Sequence, residues 1–179
     1  MTITRDVLSK YAGRARVFVE TGTHIGKTTK IAASLGFDRV YTIELAEHFY
    51  KAAERMFSGT PNVRCIFGDS TEKLGEILEE LNETAVFWLD GHWSQGDTAC
   101  GDKAVPLYEE LRVIGEHHIK NHIILVDDLR LMGNPDEPIK DWQSISLDSV
   151  KERCLQINPE YKFSFENGHV PNDILVAQI

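Results

Sequence analysis

The sequence predicts an α/β protein built on a mostly parallel seven-stranded sheet with an antiparallel terminal hairpin, and three observations carry that expectation. Five short apolar runs alternate with five stretches of helical period, the pattern of strand–helix units that bury a parallel sheet on both faces. Each of those runs stops at an acid: Glu20, Glu44, Asp69, Asp90 and Asp127. Two further apolar runs, over 161–165 and 174–178, are separated by a polar loop too short for a parallel crossover, so they should pair as a hairpin.

Taken in order, Val7, Leu8 and Tyr11 share helical spacing and give a short leading helix over 4–12, ended by Gly13. The first strand covers 16–20 and the next helix 26–35, with Ile31 and Leu35 on one face and Gly36 as its stop. The second strand covers 39–43. Phe49, Ala52, Ala53 and Met56 recur at i, i+3, i+4 and i+7, which marks an amphipathic helix broken by Gly59, Thr60 and Pro61. The third strand, 63–67, reads as a core strand containing Cys65 and closes at Gly68-Asp69. Leu74, Ile77, Leu78 and Leu81 form another stripe, and the fourth strand covers 85–89. After a long polar loop over 91–102, Leu107, Leu111 and Ile114 point inward from a helix. The fifth strand covers 122–126 and ends at Asp127-Asp128. An irregular stretch over 131–142 contains Pro135 and Pro138, and Leu147, Val150, Cys154 and Ile157 give the last helix.

A chain of 179 residues suits one domain with a substantial core, so residues 1–179 are expected to form a single domain. Hydrophobic content of 42% and charged content of 26% are ordinary for a soluble globular protein. A formal charge of -9 argues against a nucleic-acid partner, because neutralising phosphates needs a basic face. No apolar run approaches the ~20 residues of a membrane span. Residues 1–10 lack the apolar middle of a signal peptide, so the expected location is cytoplasmic, with no membrane partner. Cys65, Cys100 and Cys154 are odd in number and widely spaced, which suggests reduced thiols. Only Cys100 sits in a polar loop.

The organising stretch is the loop after the first strand. A P-loop needs four residues between its first glycine and Gly-Lys-Ser/Thr, but only three separate Gly22 from Gly26-Lys27-Thr28. A dinucleotide fingerprint needs glycine at position 24, which is His24. What remains, acid-x-Gly-x-x-x-Gly over 20–26, resembles the first motif of class I S-adenosylmethionine (SAM)-dependent methyltransferases. The competing reading is a tight strand–helix turn with no ligand. Gly22 would let a ligand approach the backbone, and the N–H groups at Gly26 would be free to face a carboxylate or phosphate.

The resemblance implies a Rossmann-like three-layer sandwich with strand order 3-2-1-4-5-7-6. It also implies SAM as cofactor, held at the carboxyl ends of the strands. In that reading Glu20 holds the methionine ammonium, directly or through water. Gly22, Thr23, His24 and Gly26 line the methionine end. Glu44 takes both ribose hydroxyls, and Asp69 contacts the adenine amino group beside Ser70; Asp90 closes the site. The plain alternatives are that Glu44 is a helix N-terminal charge and that Asp69 caps a helix, with Glu72 three residues on.

Asp90, Asp127 and Asp128 form a second group. Neighbouring strands lie ~4.8 Å apart, so these carboxylates could share one hard cation such as Mg2+. The passages Phe87-Trp88-Leu89-Asp90-Gly91-His92-Trp93 and Leu125-Val126-Asp127-Asp128 resemble the metal-binding pair of macrocin- and catechol-type O-methyltransferases. Catechol-type enzymes carry a lysine just after the fourth strand, where this chain has Trp93-Ser94-Gln95, so His92 becomes the candidate general base. The two loops over 91–102 and 131–142 read as substrate walls, with Trp93 and Trp142 either lining them or sitting in the core. His117-His118 reads as structural rather than metal-binding.

The resemblance implies methyl transfer to a small-molecule substrate, on oxygen. The domain carries no cap, so its pocket is either open or closed by a second copy in a homodimer. Two alternatives stay open: a metal-dependent hydroxylase on the same fold, and a non-catalytic SAM-binding protein. A nicotinamide enzyme lacks its glycine pattern.

Overall fold

The computed structural model describes residues 3–179, so Met1 and Thr2, the start of the stretch read above for a signal peptide, lie outside the described residues. The element order is α1 (Arg5–Ala12), β1 (Val17–Thr21), α2 (Lys27–Ala33), β2 (Arg39–Glu44), α3 (Glu47–Phe57), β3 (Val63–Phe67), α4 (Ser70–Glu80) and β4 (Ala85–Leu89). It continues with α5 (Leu107–Glu116), β5 (Ile123–Val126), two short 3-10 turns at Leu129–Leu131 and Lys140–Ser144, α6 (Leu147–Ile157), β6 (Lys162–Glu166) and β7 (Ile174–Gln178). The sheet order is β3-β2-β1-β4-β5-β7-β6, as the resemblance implies. Pairs among β1 to β5 are parallel; β7 runs antiparallel to both β5 and β6.

The alternation along each strand builds two cores. Val17, Val19, Phe87, Leu89, Ile124 and Val126 pack with α4, α5 and α6 on one face. The intervening Phe18, Val86, Trp88, Ile123 and Leu125 pack with α1 and α2 on the other. A strand shifted by one residue would exchange these faces entirely, so the apolar runs pin the register. The outcome at the carboxyl edge is a row of loops that start from β1, β2, β3, β4 and β5 on the same side, which is where this topology places ligands.

The third strand lies at the edge of the sheet, where the implied order puts it, paired only with β2; the expectation that it is a core strand is corrected, since it is half-buried to exposed throughout. Cys65 is accordingly half-buried. Phe67 remains 47% exposed beside the ring of Tyr50. A run of five residues carries no signal of how many neighbours it has. The stretch over 131–142 is also less irregular than expected: the second 3-10 turn begins in it, and Ile139 and Trp142 are in the core.

At the opposite, amino-terminal end of β4, His117 and His122 form a buried pair, as the structural reading of His117 anticipates. Ala85 N–H donates to His122 Nδ1 at 3.1 Å, which leaves His122 Nε2–H to donate to His117 Nδ1 at 2.9 Å. His117 Nε2–H then donates to the Leu81 carbonyl at 3.1 Å. Only neutral rings satisfy this chain. Burial and the neighbouring histidines and Lys120 push His122 down to about 3. Exchanging His122 for Ala strands the Ala85 N–H and one His117 nitrogen, so urea unfolding should show a loss of ~2–4 kcal/mol. An unchanged midpoint would mean the chain is not formed.

Candidate active site

The loop after β1 is held from below by β2. Gly22 N–H and Thr23 N–H both donate to the Ile43 carbonyl, at 3.0 and 3.2 Å. His24 N–H donates to Glu44 Oε2 at 2.7 Å, and Ala46 N–H to Glu44 Oε1 at 2.8 Å. Glu44 therefore ties the glycine loop to the start of α3 while its carboxylate stays in a cavity wall.

The glycines serve the backbone more than a ligand. Gly22 has φ +82°, and a Cβ there would stand 2.3 Å from the Asp90 carbonyl oxygen. The close approach it permits is between the loops after β1 and β4. Gly26, at φ +71°, faces the ring of Phe57 and the sulfur of Met56. Its N–H donates to the Thr23 carbonyl at 2.8 Å, so it is not free to face an anion.

Glu20 lies beneath the loop, 1% exposed, and outside the cavity wall. Its Oε2 accepts from Thr42 at 2.7 Å and from Thr29 at 2.5 Å. Thr23 and Thr42 hydroxyls share a further hydrogen bond at 2.6 Å. Burial pushes Glu20 up to about 7, against the pull of the Thr29, Thr42 and Thr28 hydroxyls.

The main cavity opens at the carboxyl ends of β1, β2 and β4. Gly22, His24, Glu44, Asp69, Ser70 and Asp90 are in its wall, and so is His92. Thr23 and Gly26 are not, nor are Asp127 and Asp128. Asp69 caps α4: its Oδ1 accepts from the Thr71 N–H at 2.9 Å and the Thr71 hydroxyl at 2.7 Å, so Thr71 rather than Glu72 answers it. Above it runs the loop over 91–102. A Cβ at Gly101 would stand 2.3 Å from Asp69 Oδ2, so only glycine lets the loop pass there. Trp93 anchors that loop, with its N–H on the Ala104 carbonyl at 2.7 Å and Nε1–H on the Thr98 carbonyl at 3.1 Å.

The acid cluster is arranged differently from the expected Asp90–Asp127–Asp128 set. Among the described residues, Asp90, His92 and Asp128 bring one ligand atom each within 4.8 Å of one another. Asp127 instead groups with Asp128 and Asp173. Asp128, at φ +63°, is the residue common to both groups. His92 Nδ1 lies 3.3 Å from Asp128 Oδ2 and 3.6 Å from Asp90 Oδ1, and its ring meets Trp142 edge-on at 5.3 Å. Trp142 thus belongs to the core and also to the wall of a smaller cavity shared with Asp90, His92, Glu110 and Asp127.

Charge in this corner is compressed. Burial, then Asp127 and Asp128, raise Asp90 well above the usual carboxylate range. Burial, then Asp128, push Asp127 up to about 7, and its Oδ1 is buried without a partner. Burial lowers His92, against the pull of Asp128. Three contributors escaped the sequence reading: Glu110, Asp173 and Arg130. Arg130 NH1 bridges Asp128 and Asp173, the latter at 2.5 Å, and its N–H donates to Asp173 Oδ1 at 2.9 Å. Glu110 did leave a signal, since it interrupts the apolar stripe of Leu107, Leu111 and Ile114.

No protein-family model and no curated protein sequence matches this chain. Solved structures do. The O-methyltransferase from Bacillus cereus, in complex with S-adenosylhomocysteine (SAH), superposes with a TM-score of 0.64 at 14% identity, covering 98% of this chain and 78% of that one. The O-methyltransferase TomG from Streptomyces achromogenes, involved in tomaymycin synthesis and in complex with SAM, gives 0.63 at 15% identity, with 98% and 78% covered. An rRNA methylase from Streptococcus thermophilus gives 0.56 at 14% identity, with 99% and 98% covered. The chain has the fold of the class I SAM-dependent methyltransferases.

Proposed function

We propose that the chain is a SAM-dependent methyltransferase, working as one catalytic domain and acting on an oxygen of a small molecule. The observation that carries this is the charge of the main cavity: Glu44, Asp69 and Asp90 stand in its wall against one lysine, Lys103. Such a wall suits a ligand with a cationic end and repels phosphates, which counts against nucleotides and dinucleotides. The neighbouring structures with SAM or SAH, on the same scaffold, support the same ligand.

SAM, when bound, supplies a methyl group on a sulfonium centre. Glu44 is the residue for the ribose hydroxyls: both its oxygens already hold backbone N–H groups, so it is fixed before the ligand arrives, and each oxygen keeps a lone pair. Asp69, fixed by Thr71, is the candidate for the adenine amino group. Glu20, sealed by its threonines, acts on the methionine end through the loop rather than by contact. Asp90 and His92, both in the cavity wall, are the candidates for contact with the acceptor, and His92 would take its proton. The work of such a site is mostly alignment, worth on the order of 7 to 11 kcal/mol.

The donor set Asp90, His92 and Asp128, two carboxylates and one imidazole, fits a divalent cation such as Mg2+ or Mn2+. A cation there would hold acceptor oxygens and lower their pKa. A hydroxylase iron site would require a second histidine in this group, which contains only His92. No helix among the described residues is long and apolar enough to cross a membrane.

Calorimetric titration with SAH, once with Mg2+ and once with EDTA, tests the proposal. Micromolar binding is expected in both buffers. Glu44→Ala should weaken it by about tenfold or more, because it removes a charged hydrogen-bonding partner and frees the loop. No heat with SAH in either buffer would overturn the reading.

A further inference from the structure

We infer that Glu110 is a positioning residue that holds the back wall of the main cavity in register. Its consequence for ligand binding rests on the methyltransferase reading, but its geometry does not. Glu110 belongs to α5, is 1% exposed, and lies outside the main cavity wall. Its Oε1 accepts the Ser70 hydroxyl at 2.6 Å, and Ser70 is both the first residue of α4 and a wall residue. The Thr21 hydroxyl, at the end of β1, lies against the same point at Gly91 as the carboxylate, and with Ser70 it favours the ionised form. That same hydroxyl accepts the Asp90 N–H at 3.2 Å. Gly91 passes against the pair: a Cβ there would stand 2.9 Å from Glu110 Oε1 and 3.1 Å from Thr21 Oγ1.

One side chain therefore joins the start of α4, the end of β1 and the first two residues of the loop after β4. Ser70, Asp90 and Gly91 are all in the cavity wall; Glu110 holds Ser70 directly, lies against Gly91, and meets Asp90 through Thr21. A buried acid is a costly way to fill space, since an apolar residue of the same volume would avoid desolvation. What the acid adds is direction. It fixes a serine and a threonine rotamer, and through them the β4 loop, to the tolerance that an alignment site needs. Gly91 completes the arrangement because any larger residue would push the loop away from the carboxylate.

Two substitutions separate positioning from packing. Glu110→Leu removes the acceptor and keeps the volume; Glu110→Gln keeps an oxygen for Ser70 and Thr21. In the ligand-free protein, amide hydrogen exchange at Asp90 should accelerate about tenfold in Glu110→Leu and stay near wild type in Glu110→Gln, as expected for loss of one local brace. The melting temperature of Glu110→Leu should change little, because losing a desolvated acid offsets the hydroxyls left without their acceptor. SAH affinity should fall about tenfold in Glu110→Leu and recover to within about threefold in Glu110→Gln. Ser70→Ala cuts the same link from the α4 side and should accelerate exchange over 69–71, a readout that holds even if Glu110→Leu does not fold. Unchanged exchange at Asp90 in a folded Glu110→Leu, or over 69–71 in Ser70→Ala, overturns the inference whether or not SAH binds. Absence of SAH binding by the wild type overturns the methyltransferase reading instead, and the exchange data still decide the role of Glu110.

Discussion

Exchanging Asp90 for Asn should reduce methyl transfer by about 10²- to 10⁴-fold, the span associated with losing one acid–base or ligand group, while SAH affinity changes by less than about threefold. The two effects separate because the residue has two faces. Its backbone N–H on Thr21 and its carbonyl against Gly22 build the cavity, and Asn preserves both. Its carboxyl points into the cluster with His92 and Asp128, and Asn removes the charge there. The acceptor assay would measure SAH release over a set of catechols and vicinal diols, with and without Mg2+. His92→Asn is the companion variant. If His92 serves as the base, the acid limb of the kcat profile should vanish in His92→Asn and the Mg2+ dependence should persist. If its Nδ1 serves a cation, the Mg2+ dependence should fall in both variants. Full turnover in Asp90→Asn would remove both roles and leave the acids as structural.

The parts legible in the sequence are those that depend on local order. Continuous apolar runs such as Ala85–Leu89 announce a buried strand, and the acid that ends each run marks the edge where loops begin. Because parallel strands all present the same end, Glu44, Asp69 and Asp90 reach one cavity although 46 residues separate the first from the last. What local order could not show was depth and direction. Glu20 looks like Glu44 in the sequence, yet Thr29 and Thr42 close over it and leave it outside the cavity. Asp127 and Asp128 are adjacent and share a group with Asp173, yet only Asp128 also reaches Asp90 and His92. Asp173 and Arg130 meet across 43 residues, from the terminal hairpin and the β5 loop, and no spacing rule connects them. Val63–Phe67 shows the reverse error: its own residues read as core, yet at the sheet edge, where the implied order puts it, they stay half-buried to exposed.

The ligand-free protein should be more stable near pH 5.5 than at pH 8, by an amount large enough to move its melting temperature by more than about 5 °C. Glu20, Glu110 and Asp127 each sit near 7 in the folded protein, with burial as the first cause in every case. Unfolded, each would titrate near ~4. A folded pKa above the unfolded one means that the folded state holds the extra proton. Its stabilisation is complete below pH ~4 and is lost as pH rises through 7. Between pH 5.5 and 7 the upper bound is about 2 kcal/mol per group, at 1.36 kcal/mol per unit of pKa. His122 acts in the opposite sense. Its folded value near 3 lies below the unfolded ~6.5, so its contribution is present above pH ~6.5 and lost on acidification. Three acids outweigh one histidine between pH 5.5 and 7, and above 7 neither contribution changes further. Glu20→Gln should therefore raise the melting temperature at pH 8 and change little at pH 5.5. A cationic ligand should reverse the balance by favouring the ionised acids, so SAM binding at pH 7 should release protons, read from titrations in buffers of different ionisation enthalpy. A melting temperature that rises from pH 5.5 to 8 would mean that these acids are ionised in the fold and that a cation, rather than a proton, holds them there.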